Sequence, residues 1–196
     1  MRSTLDKLIS WTGLVLAAVL LVAGGLLGWA SSFISSNVSQ QLSDQHITMP
    51  QGEALDNPDI KPYLEQYAGT PLDNGDKAKA YADHYILVHM NAQSQGKTYS
   101  QVSGEFMKLN ADPNADKAAV AKLGELRQSL FMGNTLRGML LNAYAFGMMA
   151  KIALFASIAA FAGAVVMLFL GVLGLRHAKI AARAVGTATA PQPASV

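Results

Sequence analysis

The sequence predicts an all-α membrane protein in which two transmembrane helices flank a small helical extracytoplasmic domain. Three observations carry that prediction. Half of the 196 residues are apolar (51%) and only 14% are charged, whereas about a quarter of an ordinary soluble domain is charged. The apolar residues gather in two charge-free blocks. Between the blocks, apolar side chains recur at helical spacing, with helix start and stop residues around them and no alternating β-branched run.

The first block, residues 8–43, runs for 36 residues without Asp, Glu, Lys or Arg. Its most apolar part, 12–34, is assigned to transmembrane helix 1, because roughly 20 helical residues cross a ~30 Å hydrocarbon layer. The rival is a cleaved signal peptide, with Arg2 and Lys7 as its basic start and Gly28-Trp29-Ala30 as a small-residue cleavage site. The apolar run exceeds the roughly 7–15 residues of a signal-peptide core, so the block is expected to remain as an anchor.

The second block, 152–175, has 24 uncharged residues closed by Arg176, His177 and Lys179, and is assigned to transmembrane helix 2. A frame beginning at Met139 would carry Lys151 toward the bilayer centre, at a cost of about 2.5–3.5 kcal/mol. A frame beginning at Ile152 leaves Lys151 at the interface, where its stem can snorkel. Lys151 and Arg176 are therefore the expected interface anchors. Two short crossings between 138 and 175 would need about 40 spanning residues plus a turn, more than that stretch holds.

Charge near the spans sets the expected orientation. The flanks, 1–11 and 176–196, carry Arg2, Lys7, Arg176, Lys179 and Arg183 against Asp6 alone. The central segment 35–151 holds 10 basic and 12 acidic residues, so both termini are expected in the cytoplasm and the central domain outside the cytoplasmic membrane. The whole chain is only +2, which excludes a strongly basic face for nucleic acid. With no cysteine, disulfides, thiolate metal sites and Cys nucleophiles are excluded too. The tail from Gly186 to Val196 is rich in Ala, Thr and Pro, a composition expected to be disordered.

Within the central segment, Met49-Pro50-Gln51-Gly52 and Asn57-Pro58 predict an extended arm. Asp59 is expected to cap a short helix with Pro62 in its first turn and its end at Gly69. Asn74 or Asp73 opens a longer helix in which Ala78, Tyr81, Tyr85 and Val88 share a face, ending before Gly96. Thr98 with Gln101 forms a capping box for a third helix buried through Val102, Phe106 and Leu109. Asp112-Pro113 predicts the start of a fourth, lined by Ala119, Leu123, Leu126 and Leu130. A last helix is expected from Asn134 through Lys151 into the second span. Its apolar stretch 138–150 stands about 20 Å above the bilayer and requires a cover from other helices or another subunit.

Few residues point to chemistry. His46, His84 and His89 lie in the central segment. A helix presents two histidines to one metal at i, i+4, whereas His84 and His89 are five apart and turn about 140° away from each other. A metal site from His84, Asp83 and a distant His46 or Glu65 requires the tertiary fold to assemble it. Asp73-Asn74-Gly75-Asp76 resembles a calcium loop but places His84 where the bidentate Glu belongs; Glu53, Asp56 and Asp59 belong to a solvated arm. No nucleophile elbow, Walker loop or dinucleotide fingerprint is present, so no cofactor is expected. Asn37-Val38-Ser39 matches the three-residue glycosylation pattern. Gly24 and Gly28 in the first span, and the pairs Ala156, Ala160 and Ala159, Gly163 in the second, permit close helix packing. Neither span has an ionisable residue inside it, which argues against a proton relay or charged transport route.

The strings Asn57-Pro58-Asp59-Ile60-Lys61-Pro62-Tyr63-Leu64, Tyr67-Ala68-Gly69, Ala80-Tyr81-Ala82-Asp83-His84-Tyr85-Ile86, Gly96-Lys97-Thr98-Tyr99 and Thr135-Leu136-Arg137-Gly138 resemble a family of uncharacterised two-span membrane proteins from actinobacteria. The resemblance covers residues 45–175 and implies a cell-envelope location for the central domain. Some such proteins carry the label aromatic ring-opening dioxygenase. Non-haem iron chemistry of that kind needs two His and one carboxylate around open metal positions, a set that no motif here displays.

The expected function is non-catalytic: a membrane protein, surrounded by lipid, whose outer domain assembles with a second copy or with another envelope protein. A metal-dependent envelope enzyme using His84 with Asp83 or His89 is the alternative, and an oligomeric pore a further one. Mass spectrometry of the mature N-terminus is expected to recover residues from the first span; a chain starting at Ser31 would remove the two-span assignment.

Overall fold

The computed structural model describes residues 2–188. Among them every element is helical apart from an isolated antiparallel bridge between Thr48 and Pro71. The tail residues 189–196, part of the stretch expected to be disordered, lie outside the described residues. The chain divides into two compact units. One comprises Met1–Ser32 with Lys151–Val196, the other Phe33–Ala150. Two long helices, α1 (Arg2–Ser43) and α6 (Lys117–Ala188), contribute to both.

In the first unit, α1 and α6 run antiparallel. The contacts pair Ser10 with Gly174, Gly13 with Gly171, Gly24 with Phe161 and Gly28 with Ser157. What is buried along the seam is small. Ser10, Ala17, Gly24 and Ser31 are buried on α1, and Ser157, Ala164, Gly171 and Ala178 on α6. Each row repeats every seven residues, the period of left-handed helix pairing, and small residues let the backbones approach. A Cβ on Gly171 would stand 3.2 Å from the Ser10 carbonyl oxygen and 2.9 Å from the Leu14 side chain. The Ser157 hydroxyl donates to the Gly24 carbonyl across the seam at 2.7 Å, while Ser10 turns its hydroxyl back to Asp6 O at 2.7 Å. The large side chains point the other way: Trp11, Val22, Trp29, Phe155, Val165 and Phe169 are all exposed.

Both helices are long and apolar enough to cross a membrane, and only 11% of the most apolar window of each is buried. A core helix of a soluble protein shows the opposite, with its large apolar residues inside. Since α6 is continuous, the two-crossing alternative between 138 and 175 has no turn on which to fold back.

The second unit packs short helices against residues 33–43 of α1 and 117–150 of α6. Its main core holds Leu42, Met49, Ile60, Leu64, Leu72, Ala78, Ala82 and Leu140. A smaller cluster joins Met90, Val102 and Leu130. In sequence order, a 3₁₀ turn (Gly52–Leu55) precedes α2 (Lys61–Leu64), which runs into another 3₁₀ turn (Glu65–Tyr67). Then α3 (Gly75–Tyr81) passes through a π-helical turn (Ala82–Ile86) into α4 (Leu87–Ser94), and α5 (Tyr99–Asn110) precedes α6.

The cap signals are realised in part. The Asn74 side chain accepts from Lys77 N at the start of α3, and Thr98 with Gln101 forms both halves of the capping box of α5. Gln95 and Gly96 take left-handed backbone after α4, a conformation that ends helices and that glycine adopts without a Cβ penalty. Glycine matters differently at Gly75, where a Cβ would stand 3.0 Å from the Tyr144 Cα; its absence lets α3 begin directly against α6.

Several expectations are corrected. Helix α1 continues past the first span to Ser43 and is followed by His46 in left-handed backbone, so the segment expected as an extended arm begins only after it. Met49 is buried, and its N–H donates to Thr70 O at 2.8 Å, so the following segment is tied to the domain. Asp59 caps nothing; Ile60 precedes α2, and Asn57 accepts from Asp59 N instead. Asp112-Pro113 forms a turn in which Asp112 accepts from Asn114 N, and the start of α6 is served by Asp116 accepting from Ala118 N. An acid followed by proline suits both a turn and a helix start, and the nearer acid took the cap. No new helix begins at Asn134, which lies inside α6. Phe106 and Leu109 are half-buried and Ala119 is exposed, whereas Val102 and Leu130 are buried.

Gly171→Leu is expected to force the seam apart and cost about 1–3 kcal/mol, the usual penalty of overpacking. In mild detergent this corresponds to a fall of several degrees in the thermal unfolding midpoint. Ala159→Leu, on the outward face, is expected to leave the midpoint unchanged.

Candidate functional site

The π-helical turn is where the chain departs most from regular helix, and Asp83 and His84 sit in it. A π turn leaves backbone groups displaced from the α-helical ladder. Here Arg137 of α6 supplies a partner: its Nε donates to Ala82 O at 3.0 Å, and a terminal nitrogen donates to Asp83 Oδ1 at 3.0 Å. The other carboxylate oxygen of Asp83 accepts from Lys79 Nζ. The Lys79 ammonium also lies 5.5 Å from the Tyr144 ring centre, within cation–π range.

Partial burial works against ionisation of Asp83, and the hydrogen bonds and charges of Lys79 and Arg137 outweigh it, so that the carboxyl lies below its ordinary range. The Lys79 ammonium is held above its usual value, chiefly by the hydrogen bond to Asp83.

Of the metal candidates, Asp83 is thus engaged by two cations. His84 stacks on Tyr63 with ring centres 3.5 Å apart and planes 7° from parallel. His89 places Nδ1 2.7 Å from Tyr85 O, one helical turn back, with its ring tilted over that of Tyr85. His46 occupies the exposed left-handed turn after α1, and Glu65 lies 3.9 Å from Lys61. Among the described residues no group of three or more His, Asp or Glu side chains converges as a metal site. In the calcium-like string, Asp73 pairs with Lys77 at 2.9 Å while Asn74 caps α3.

Of the packing candidates, Gly24 is buried, Gly28 is half-buried against Ser157, and Ala160 is buried. Ala156 and Gly163 are half-buried, with Leu20 3.4 Å from a Cβ on Gly163, and Ala159 faces outward. Lys151 and Arg176 are both exposed at the ends of the second apolar block.

The second unit also contains a groove of about 830 Å³ lined by residues 33–42 of α1 and 136–146 of α6, together with Tyr81 of α3 and Ile86 of the π turn. Its volume is that of a small-molecule site. Phe33 and Ile34 line one end on α1, and Asp44 and Gln45 the other. Leu136, Met139 and Phe146 form the α6 wall. Polar groups interrupt the apolar walls: Asn142 on α6, and Asn37 and Gln41 on α1, which are joined by a 2.9 Å hydrogen bond. Tyr81 reaches the groove from α3; burial, with a smaller effect from Tyr85, raises its phenol above the ordinary range and keeps its hydroxyl as a donor. The lining contains one carboxylate, Asp44, and no Lys or Arg.

Two features escaped the sequence. Arg137 is the partner of Asp83 across 54 positions of chain, and nothing local signals that pairing. Ser157 and the rows around it had a signal, the seven-residue recurrence of small residues in both blocks, which single small-xxx-small pairs only partly capture. Compared with protein-family models, with curated proteins and with solved structures, the chain gives no match.

The sign of the Asp83 shift gives a pH dependence. A carboxyl depressed in the folded state stabilises fully above its unfolded value of about 3.9, and the contribution is lost as pH falls through the lower folded value. Asp83→Asn is expected to cost about 1–2 kcal/mol at pH 7, the range for hydrogen bonds to charged groups reduced for partial exposure. Denaturant unfolding at pH 7 and in a series below pH 4 is expected to show the variant's deficit shrinking on acidification.

Proposed function

We propose that this chain is an integral protein of the cytoplasmic membrane, anchored at both ends with its termini in the cytoplasm, whose helical domain on the other side assembles with a second copy of itself. The apolar outer surface of α6 beyond the second apolar block carries the reading. Phe131 and Met132 are 52% and 56% exposed, outside the groove lining, and Leu136 and Met139 continue the exposed surface toward the spans. Large apolar side chains in such a row are unlike a solvated helix face.

Three further features support it. The two helices carry their large apolar side chains outward and their small ones toward each other, as helices in lipid do. The basic flanks favour cytoplasmic termini. The residue strings resemble those of the two-span envelope family, which accords with an outer domain. Association with a different envelope protein is the variant of this proposal in which the same surface meets another chain.

Particle mass in mild detergent tests it. The wild type is expected to run as a multiple of the 20.7 kDa chain, and Phe131→Glu with Met132→Glu to reduce it to the single-chain particle. A wild type that is strictly monomeric with no co-purifying protein would refute the assembly.

A further inference from the structure

Hydropathy lets an apolar helix slide along its own axis through a bilayer, and three features of the first unit fix its depth. Tryptophan gathers at both membrane–water interfaces, its ring at the level of the headgroups. The chain has two tryptophans, Trp11 and Trp29, both turned outward at 61% and 67% exposure. They stand 18 residues apart on α1. That is about five turns, so they share one face and are separated by about 27 Å along the axis, close to the ~30 Å of a hydrocarbon layer. Between them the exposed side chains of α1 are apolar apart from Thr12, at the edge, whose hydroxyl donates to Leu8 O at 3.0 Å. Exposed polar side chains resume at Ser32 beyond Trp29 and at Lys7 beyond Trp11.

The second feature lies on α6. Ser10 meets Gly174 and Gly28 meets Ser157, a register that sets Trp11 level with Leu173 and Trp29 level with Ala156. The charges of α6 stop just outside those levels. Lys151 is five residues beyond Ala156 and Arg176 three beyond Leu173, about 7 Å and 5 Å along the helix, where their side chains can reach the headgroups.

The third is a shared centre. Leu20 is midway between the tryptophans, and the uncharged block 152–175 has its midpoint at Gly163 and Ala164. A Cβ on Gly163 would stand 3.4 Å from the Leu20 side chain, so the two midpoints are level. The first span as read from hydropathy, 12–34, is centred on Ala23 instead, about 4.5 Å further along α1 and out of step with its partner.

We infer that Trp11 and Trp29 mark the two faces of the bilayer. Hydrocarbon then encloses 12–28 of α1 and 157–172 of α6, and residues 30–32 stand among the headgroups. The fitting bilayer has a hydrocarbon core of at most about 27 Å, a few Å thinner than average, and helix tilt shortens it further. The inference rests on the membrane part of the function above and is independent of assembly.

The experiment uses the full chain in phosphatidylcholine vesicles whose acyl chains carry bromine, a quencher of tryptophan fluorescence, near the headgroup, at mid-chain or near the chain end. Trp29→Phe isolates Trp11, and Trp11→Phe isolates Trp29. Each remaining tryptophan is expected to lose most emission to bromine near the headgroup, and both to the same extent. Val22→Trp, on the outward face and added to a chain carrying both of those changes, is expected to lose most to bromine near the chain end.

Trp29 losing most emission to mid-chain or chain-end bromine while Trp11 escapes quenching is the outcome of a span at 12–34, and overturns the inference. Shallow quenching at all three positions, the pattern of a helix lying along the surface, overturns it too. Resistance of the same protein to alkaline extraction from vesicles reads membrane insertion separately. A chain that resists extraction yet holds Trp29 deep refutes the depth alone; a chain that is extracted, with no position quenched, removes the membrane reading beneath it.

Discussion

The long helices α1 and α6 lie close together because glycine, alanine and serine recur along both sides of their contact. In hydrocarbon there is no hydrophobic gain from bringing two apolar helices together, since lipid tails are as apolar as leucine. A helix pair placed in hydrocarbon would have to win contact by backbone proximity and by hydrogen bonds that lipid cannot make. The seam offers both: small residues every seventh position on each helix, and the Ser157 hydroxyl on the Gly24 carbonyl. Bulky side chains on the same helices are turned outward, so the pair is organised as the inverse of a soluble core.

In the second unit the ordinary arrangement returns, with aliphatic side chains inside and charges at the surface. What fixes its strained element is an ion-pair node. The π turn bulges α3 against α6, and Arg137 meets both consequences at once, taking the Ala82 carbonyl and the Asp83 carboxylate. Lys79 completes the second half of Asp83. Removing one partner from such a node leaves a half-buried charge without its complement, which costs more than the net worth of the pair. The residues that suggested metal chemistry are used as structure here, with Asp83 in the node and His84 laid flat on Tyr63.

Local signals were legible where one stretch of chain decides the outcome. The capping box at Thr98 and Gln101, the Asn74 cap and the left-handed end at Gln95 and Gly96 depend on residues within four positions of each other, and each is realised. The expectation failed where two local solutions compete. Asp112-Pro113 makes a turn and Asp116 caps the helix, and Asn57 rather than Asp59 organises the start of α2. The burial of Met49 and the unbroken passage of α6 through Asn134 follow from what the rest of the domain packs against them, which no window of sequence contains.

By itself the sequence determined the all-helical class, the two apolar helices and the placing of most of the charge in the segment between them, because composition and periodicity are properties of the chain alone. It also held the small-residue rows, visible once the period of seven is sought. Only the tertiary structure decided that Asp83 meets Arg137, that His84 and His89 each lie against a tyrosine ring, and that α1 and α6 leave a groove between Phe33 and Phe146. Pairings and cavities arise between residues far apart in the chain, and their geometry is set by how all the helices pack together rather than by the preferences of any one of them.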